Sequence, residues 1–373
     1  MSRILLALSI PFFTACGVSI DKDDAKAEKD TASGTDDSQD TQNTGPVDAD
    51  GDGLMSDEDC DDSDPNMPAN DADCDGVSTA EDCDDSDSGM MSIYDDYDCD
   101  GVANRSEAAV CERWNADRSD LSEGSWSGSV SGCNAGAVSS IGMDNALRQV
   151  NLFRWLSELP DVTTSETLNA KAQECALIMD ANNVLTHNPS SSYSCYTSDG
   201  AQAASKSNIS PYPGVYSVEL YMSDPGNETT LGHRRWILSN GLGPIGLGST
   251  SDDSCMWVQN GTGSDSRPYT AWPPAGIVPL SINSLGWADL EDTGWSIQSD
   301  SFDLDNASVT ITRDDGTDMP VSVTKLNAYY GSQWAISMVP QGWMAETGWL
   351  YEVTVTADGG TIQYRVEFVD CGG

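Results

Sequence analysis

Asp144-Asn-Ala146-Leu147-Arg-Gln-Val150-Asn-Leu-Phe153-Arg-Trp-Leu156 carries a helical stripe. Ala146, Leu147, Val150, Phe153 and Leu156 recur at helical spacing on one face, and Asp144 is placed to cap the helix. Ser165 is placed to cap a second helix, on which Leu168, Ala172, Cys175, Ala176 and Met179 share a face. Glu158-Leu-Pro160-Asp-Val reads as the loop between them.

Four blocks in order carry a resemblance: residues 146–154, then Leu168 to Met179, then Leu185-Thr-His187, then Gly232-His233-Arg-Arg-Trp236-Ile-Leu. Together they resemble the CAP superfamily, the SCP/pathogenesis-related-1 type, over residues 141–260. The resemblance implies a three-layer α-β-α sandwich. It also implies a cleft with two histidines and two acidic residues, which binds a divalent metal in some members.

The chain has two histidines in all, and both stand at the family's cleft positions. The acidic partners match less directly. In Val218-Glu219-Leu-Tyr221-Met-Ser-Asp224 the acid place falls to Asp224, with Glu219 as the alternative. The other family glutamate meets Gly200-Ala201-Gln202, so Gln202 is the nearest polar substitute. His187, Asp224 and His233 then form an expected two-histidine, one-carboxylate set suited to Zn²⁺ or another divalent metal. The resemblance implies non-enzymatic binding of a lipid, sterol or partner protein. A metal-assisted hydrolase working in the His187/His233 cleft is the alternative, although no His-Glu-x-x-His or Gly-x-Ser-x-Gly motif is present. A purely structural envelope spacer is a third reading.

Upstream, the charge pattern is distinctive. The 373 residues hold 61 Asp+Glu against 17 Lys+Arg, a formal net charge of −44, which disfavours nucleic acid and anionic membrane surfaces as partners. Residues 48–107 hold 22 of the acids against one base, Arg105. They repeat: Asp48, Asp50 and Asp52 before Gly53; Asp71, Asp73 and Asp75 before Gly76; Asp96, Asp98 and Asp100 before Gly101. An acid follows at position 12 of each unit: Asp59, Asp82 and Glu107. Carboxylates at positions 1, 3, 5 and 12 with glycine at 6 follow EF-hand loop logic for Ca²⁺. No flanking helices are expected, so the segment looks like thrombospondin type 3 repeats. A solvated acidic spacer is the plainer alternative.

Residues 1–15 read as an export signal: Arg3, then a short apolar run ending in Phe13-Thr14-Ala15 before Cys16. This resembles a bacterial lipobox with Cys16 lipidated, and Gly17 in place of Asp favours the outer membrane. An ordinary signal peptide is the alternative. Residues 17–47 form a polar tether expected to be disordered. The expected setting is therefore the bacterial cell envelope, with the lipid anchor as the only membrane contact.

Removing Cys16 from the 11 cysteines leaves ten, enough to pair completely in an oxidising compartment. Neighbourhood along the chain suggests Cys60–Cys74, Cys83–Cys99, Cys111–Cys133, Cys175–Cys195 and Cys255–Cys371, with residues 108–140 a disulfide-closed connector.

In residues 261–373, period-two segments stand at 308–312, 321–324, 351–356 and 362–368, with turn signals at Asp315-Gly316 and Asp358-Gly359. They predict an immunoglobulin-like β-sandwich. Trp272-Pro-Pro274-Ala-Gly276 reads as the linker into it, and Trp287, Trp295, Trp334, Trp343 and Trp349 as core and edge packing rather than a sugar platform.

Overall fold

The computed structural model describes residues 46–57, 59–67 and 70–372. The signal peptide, Cys16 and nearly all of the tether lie outside the described residues. The described residues between 46 and 106 run in turns and bends, with no helix and only one isolated bridge, Asp82 to Ser92. A helix follows at once: α1 (Glu107–Asp117), where the Ser106 hydroxyl accepts the Ala109 N–H. The third acidic loop is therefore flanked by a helix, contrary to the sequence expectation. An N-cap serine followed by an acidic first turn is the local reason.

α2 (Ser140–Leu156) and α3 (Glu166–Asn182) stand where helical spacing placed them. The cap of α2 is Ser139, not Asp144. The extra turn is held by tertiary contact: Ser125 N–H donates to the Ser139 hydroxyl, and a Cβ on Gly142 would lie 2.1 Å from the Glu123 carbonyl oxygen. α4 (Ser198–Ala204), β1 (Ser207–Ser210), α5 (Gly214–Ser223), α6 (Gly232–Ile237), β2 (Gly246–Ser249) and β3 (Ser254–Trp257) follow.

The three strands form an antiparallel sheet in the order β1-β3-β2. Strand alternation splits the core between its two faces. Cys255 and Trp257 join Ala172, Cys175 and Ile178 of α3. Met256 and Leu247 join Val150 of α2 and Val218 of α5. Glycine permits the close approach of α3 to β2, since a Cβ on Gly248 would lie 2.1 Å from the Gln173 nitrogen. The result is the expected α-β-α layering.

The strand-rich C-terminal region holds β4 (Thr270–Trp272), β5 (Gly276–Pro279), the small pair β6 (Ser284–Leu285) and β7 (Ala288–Asp289), helix α7 (Leu290–Thr293), β8 (Trp295–Ser299), β9 (Ser308–Arg313), β10 (Val321–Lys325), β11 (Trp334–Pro340), β12 (Leu350–Ala357) and β13 (Gly360–Val369). Two four-stranded sheets result, in the orders β10-β11-β8-β4 and β5-β13-β12-β9. Trp295 links them, its ring 6.1 Å from that of Tyr351 and 5.8 Å from that of Phe368. The expected linker is instead structural. Trp272 is fully buried in β4, and Pro273-Pro274 carries the chain from the first sheet to β5 in the second. Proline cannot continue a ladder, so it suits a strand that changes sheet.

All ten cysteines from Cys60 to Cys371 pair. Cys60–Cys74 and Cys83–Cys99 staple neighbouring acidic units as expected. The other three expected pairs are corrected to Cys111–Cys371, Cys133–Cys195 and Cys175–Cys255. The reason is spatial. β13 runs beside β5, and the Asn115 amide of α1 donates to the Cys371 carbonyl, so the chain end meets α1. Cys175 straps α3 onto β3 across the shared core. Five disulfides mark a chain that matures in an oxidising, extracellular setting. No helix among the described residues is long and apolar enough to cross a membrane.

Candidate functional site

The two histidines line one cleft of about 390 Å³. His187 lies in the loop after α3, and its Nδ1 is 2.7 Å from the Ala204 carbonyl oxygen. His233 is the second residue of α6, and its Nδ1 is 2.7 Å from Asp224 Oδ1. With Nδ1 engaged on an oxygen in both rings, Nε2 is the nitrogen each can offer to a ligand. Tyr221 packs against the His233 ring at 5.1 Å.

Asp224 is fully buried in a left-handed conformation at the end of α5 (φ 55°). Both of its oxygens are engaged. Oδ1 accepts from the Asn227 amide at 2.8 Å and meets His233 Nδ1. Oδ2 accepts the backbone N–H groups of His233 and Arg234 at 2.9 and 3.3 Å. Asp224 therefore orients His233 and does not reach into the cleft as a ligand of its own.

The other two expected acidic or polar partners are elsewhere. Glu219 is ion-paired with Arg118 and accepts the Gly286 N–H at 3.2 Å, on the far side of α5. Gln202 is exposed and accepts from Lys171. Asp224 caps α5 in the left-handed conformation, five residues beyond Glu219 and so on a different face, which is why only one serves the cleft. Among the described residues, His187, Asp224 and His233 do not gather their ligand atoms within 4.8 Å of one another; only the three Asp triplets do. The two imidazoles are poised as metal-ligating histidines are, with the outer nitrogen anchored, but two ligands do not complete a zinc site. Neither histidine is hydrogen-bonded to a serine hydroxyl among the described residues.

Sequence reasoning missed the other wall. Tyr330, in the loop between β10 and β11, lines the cleft together with Trp236 and Asn227. Two adjacent arginines bring the strand-rich region there. Arg234, fully buried, donates to the carbonyls of Met222 and Gly294 and to the Ser296 hydroxyl. Arg235 donates to the carbonyls of Thr230, Asn327 and Ser332. Burial lowers both guanidinium groups to about 10. One tetrapeptide, Gly232-His233-Arg234-Arg235, thus faces the cleft with its histidine and the domain junction with its arginines.

The acidic loops form the second candidate site. In each, the position-1 aspartate accepts the position-6 glycine N–H: Gly53 to Asp48 at 3.2 Å, Gly76 to Asp71 at 2.8 Å and Gly101 to Asp96 at 2.7 Å. These glycines have φ of +100°, +98° and +85°, a backbone only glycine adopts without strain. Position 5 accepts the position-7 N–H in each: Leu54 to Asp52, Val77 to Asp75 and Val102 to Asp100. Units one and two share one further brace, with Asp62 taking the Ala49 N–H and Asp85 the Ala72 N–H.

Carboxylate oxygens remain unspent. Asp50 Oδ2 and Asp59 Oδ2 in the first unit, and both oxygens of Asp73 with Asp82 Oδ2 in the second, are buried without a hydrogen-bond partner. They stand at positions 3 and 12 of their units. Burial, with Asp75, Asp82 and Asp71 adding, raises the Asp73 carboxyl above its ordinary value; burial raises Asp50 likewise, with Asp52, Asp59 and Asp48 adding. The third unit differs. Glu107 is exposed on α1, and Arg267 approaches Asp100 at 3.5 Å while pairing with Glu158 at 2.9 Å. Burial, Asp100 and Glu158 raise Asp98 to about 7, against the opposing pull of Arg267.

Residues 147–260 match the Cysteine-rich secretory protein family, CAP, so the chain carries a CAP domain. No curated protein and no solved structure matches the chain.

Proposed function

We propose that this is an exported protein, anchored through lipid on Cys16 at the outer membrane or cell surface, whose CAP cleft binds a ligand on the imidazoles of His187 and His233. The observation that carries the reading is that the chain's two histidines line one cleft, each with Nδ1 anchored on an oxygen. Residues 48–107 bind Ca²⁺ as a structural stalk. The unspent position-3 and position-12 oxygens fit that hard cation, and acidic extracellular modules hold it with a Kd of about 10⁻⁴–10⁻³ M. The C-terminal sheets, read as an immunoglobulin-like sandwich, buttress the cleft. Co-sedimentation with a cell-envelope fraction tests the ligand reading. The wild type is retained and the His187→Ala/His233→Ala variant is not, with unchanged circular dichroism. Equal retention of both contradicts it.

A further inference from the structure

We propose that the cleft recognises a neutral oligosaccharide, gripped between Trp236 of the CAP domain and Tyr330 of the strand-rich region; this rests on the ligand-binding reading above. The lining is unusual for a small-molecule pocket, which is normally mostly apolar. It holds imidazoles, amides and hydroxyls, with no Lys, Arg, Asp or Glu among the lining residues. Lipid there would leave the outer imidazole nitrogens of His187 and His233 and the Ser207 hydroxyl facing hydrocarbon without a partner. An anionic ligand would meet no lining cation in a chain of net charge −44. A cationic ligand would find no lining carboxylate, since Asp224 is consumed beneath His233.

A sugar fits the same inventory. Its hydroxyls donate and accept in turn, matching amides and imidazoles. The Ser207 hydroxyl lines the cleft and is buried with no partner in the protein. The apolar C–H face of a pyranose needs a flat ring to cover it, and Trp236 and Tyr330 supply two.

Tyr330 is held in place before any ligand arrives. A Cβ on Gly232 would lie 2.7 Å from its ring, so the tyrosine lies directly on the turn that carries His233. Its loop is fixed by Arg235, by the Asn327 N–H to the Thr229 carbonyl at 2.9 Å, and by the Ser239 hydroxyl to the Gly331 carbonyl at 2.7 Å. Leu326 is buried with Leu231 of the CAP domain. Such preorganisation lowers the ordering cost of binding.

The two histidines give the test a clean reporter, because every imidazole signal in the proton NMR spectrum belongs to the cleft. The full chain is titrated separately with cellotetraose, chitotetraose and maltotetraose, with sodium myristate, and with Zn²⁺. The proposal expects at least one saccharide to shift both imidazole signals saturably. Tyr330→Ala should weaken that binding about tenfold, as loss of a stacking ring does, while Tyr330→Phe keeps most of it. Signals that move with myristate or Zn²⁺ but with no saccharide overturn the proposal and leave the ligand-binding cleft standing. Signals that none of the five probes moves overturn both. Saccharide binding undiminished in Tyr330→Ala overturns the assignment of the aromatic grip.

Discussion

The acidic loops and the histidine cleft both gather side chains that bind metals, and they dispose of their oxygens in opposite ways. In the first two loops, the protein's own donors satisfy positions 1 and 5 and leave one oxygen each of Asp50, Asp59 and Asp82, and both of Asp73, buried without a partner. In the cleft, the one nearby carboxylate is used completely by four protein donors. A buried oxygen without a partner is costly, so we expect the loops to take up a cation, whereas the carboxylate beneath the cleft already has its partners. Aspartate thus keeps free oxygens in one place and orients a histidine in the other.

Chelation should separate the two regions most sharply. EDTA is expected to open residues 48–107 to proteolysis while both imidazole signals stay where they were; protection of the loops under EDTA breaks the comparison. Next in size is Arg235→Ala, which removes the donor to three carbonyls at the junction. A loss of about 2–4 kcal/mol in urea unfolding is expected, as for other buried charged networks.

Asp224→Asn should cost about 1–3 kcal/mol, with or without calcium, because buried donors lose their acceptor. Asp73→Asn should do the reverse. Without calcium it relieves crowding with Asp71, Asp75 and Asp82 and leaves stability unchanged or slightly raised; with calcium it lowers the unfolding midpoint. Two variants that respond to calcium alike would erase the distinction. The smallest effect is expected at Arg267→Ala, which frees Asp100 from its neighbouring cation. Calcium titration should show third-loop affinity rising several-fold, by about 1 kcal/mol or less for a partly exposed pair.

Much of this was legible in residue spacing. The helical stripes of α2 and α3, the alternation in β9, β10, β12 and β13, and the three loops all express local rules. β8 was not read, although it alternates, because all five of its positions are buried. Its polar face meets the CAP domain, where Ser296 and Gln298 bond Arg234 and the Leu238 carbonyl. Three disulfides escape chain neighbourhood because Cys111, Cys133 and Cys175 find partners, Cys371, Cys195 and Cys255, that only the packed fold brings near. Of the cleft, both histidines stand at positions the sequence marks and Asp224 lies beneath one of them, while Glu219, the alternative acid, and Gln202 lie elsewhere. No local signal marks a tyrosine about a hundred residues downstream as the opposite wall.

Native mass spectrometry of the protein titrated with Ca²⁺ and Zn²⁺ tests the contrast most directly. The account predicts Ca²⁺ adducts that persist in His187→Ala/His233→Ala and diminish in Asp73→Asn. A divalent ion lost with the histidine pair and retained in Asp73→Asn would contradict it.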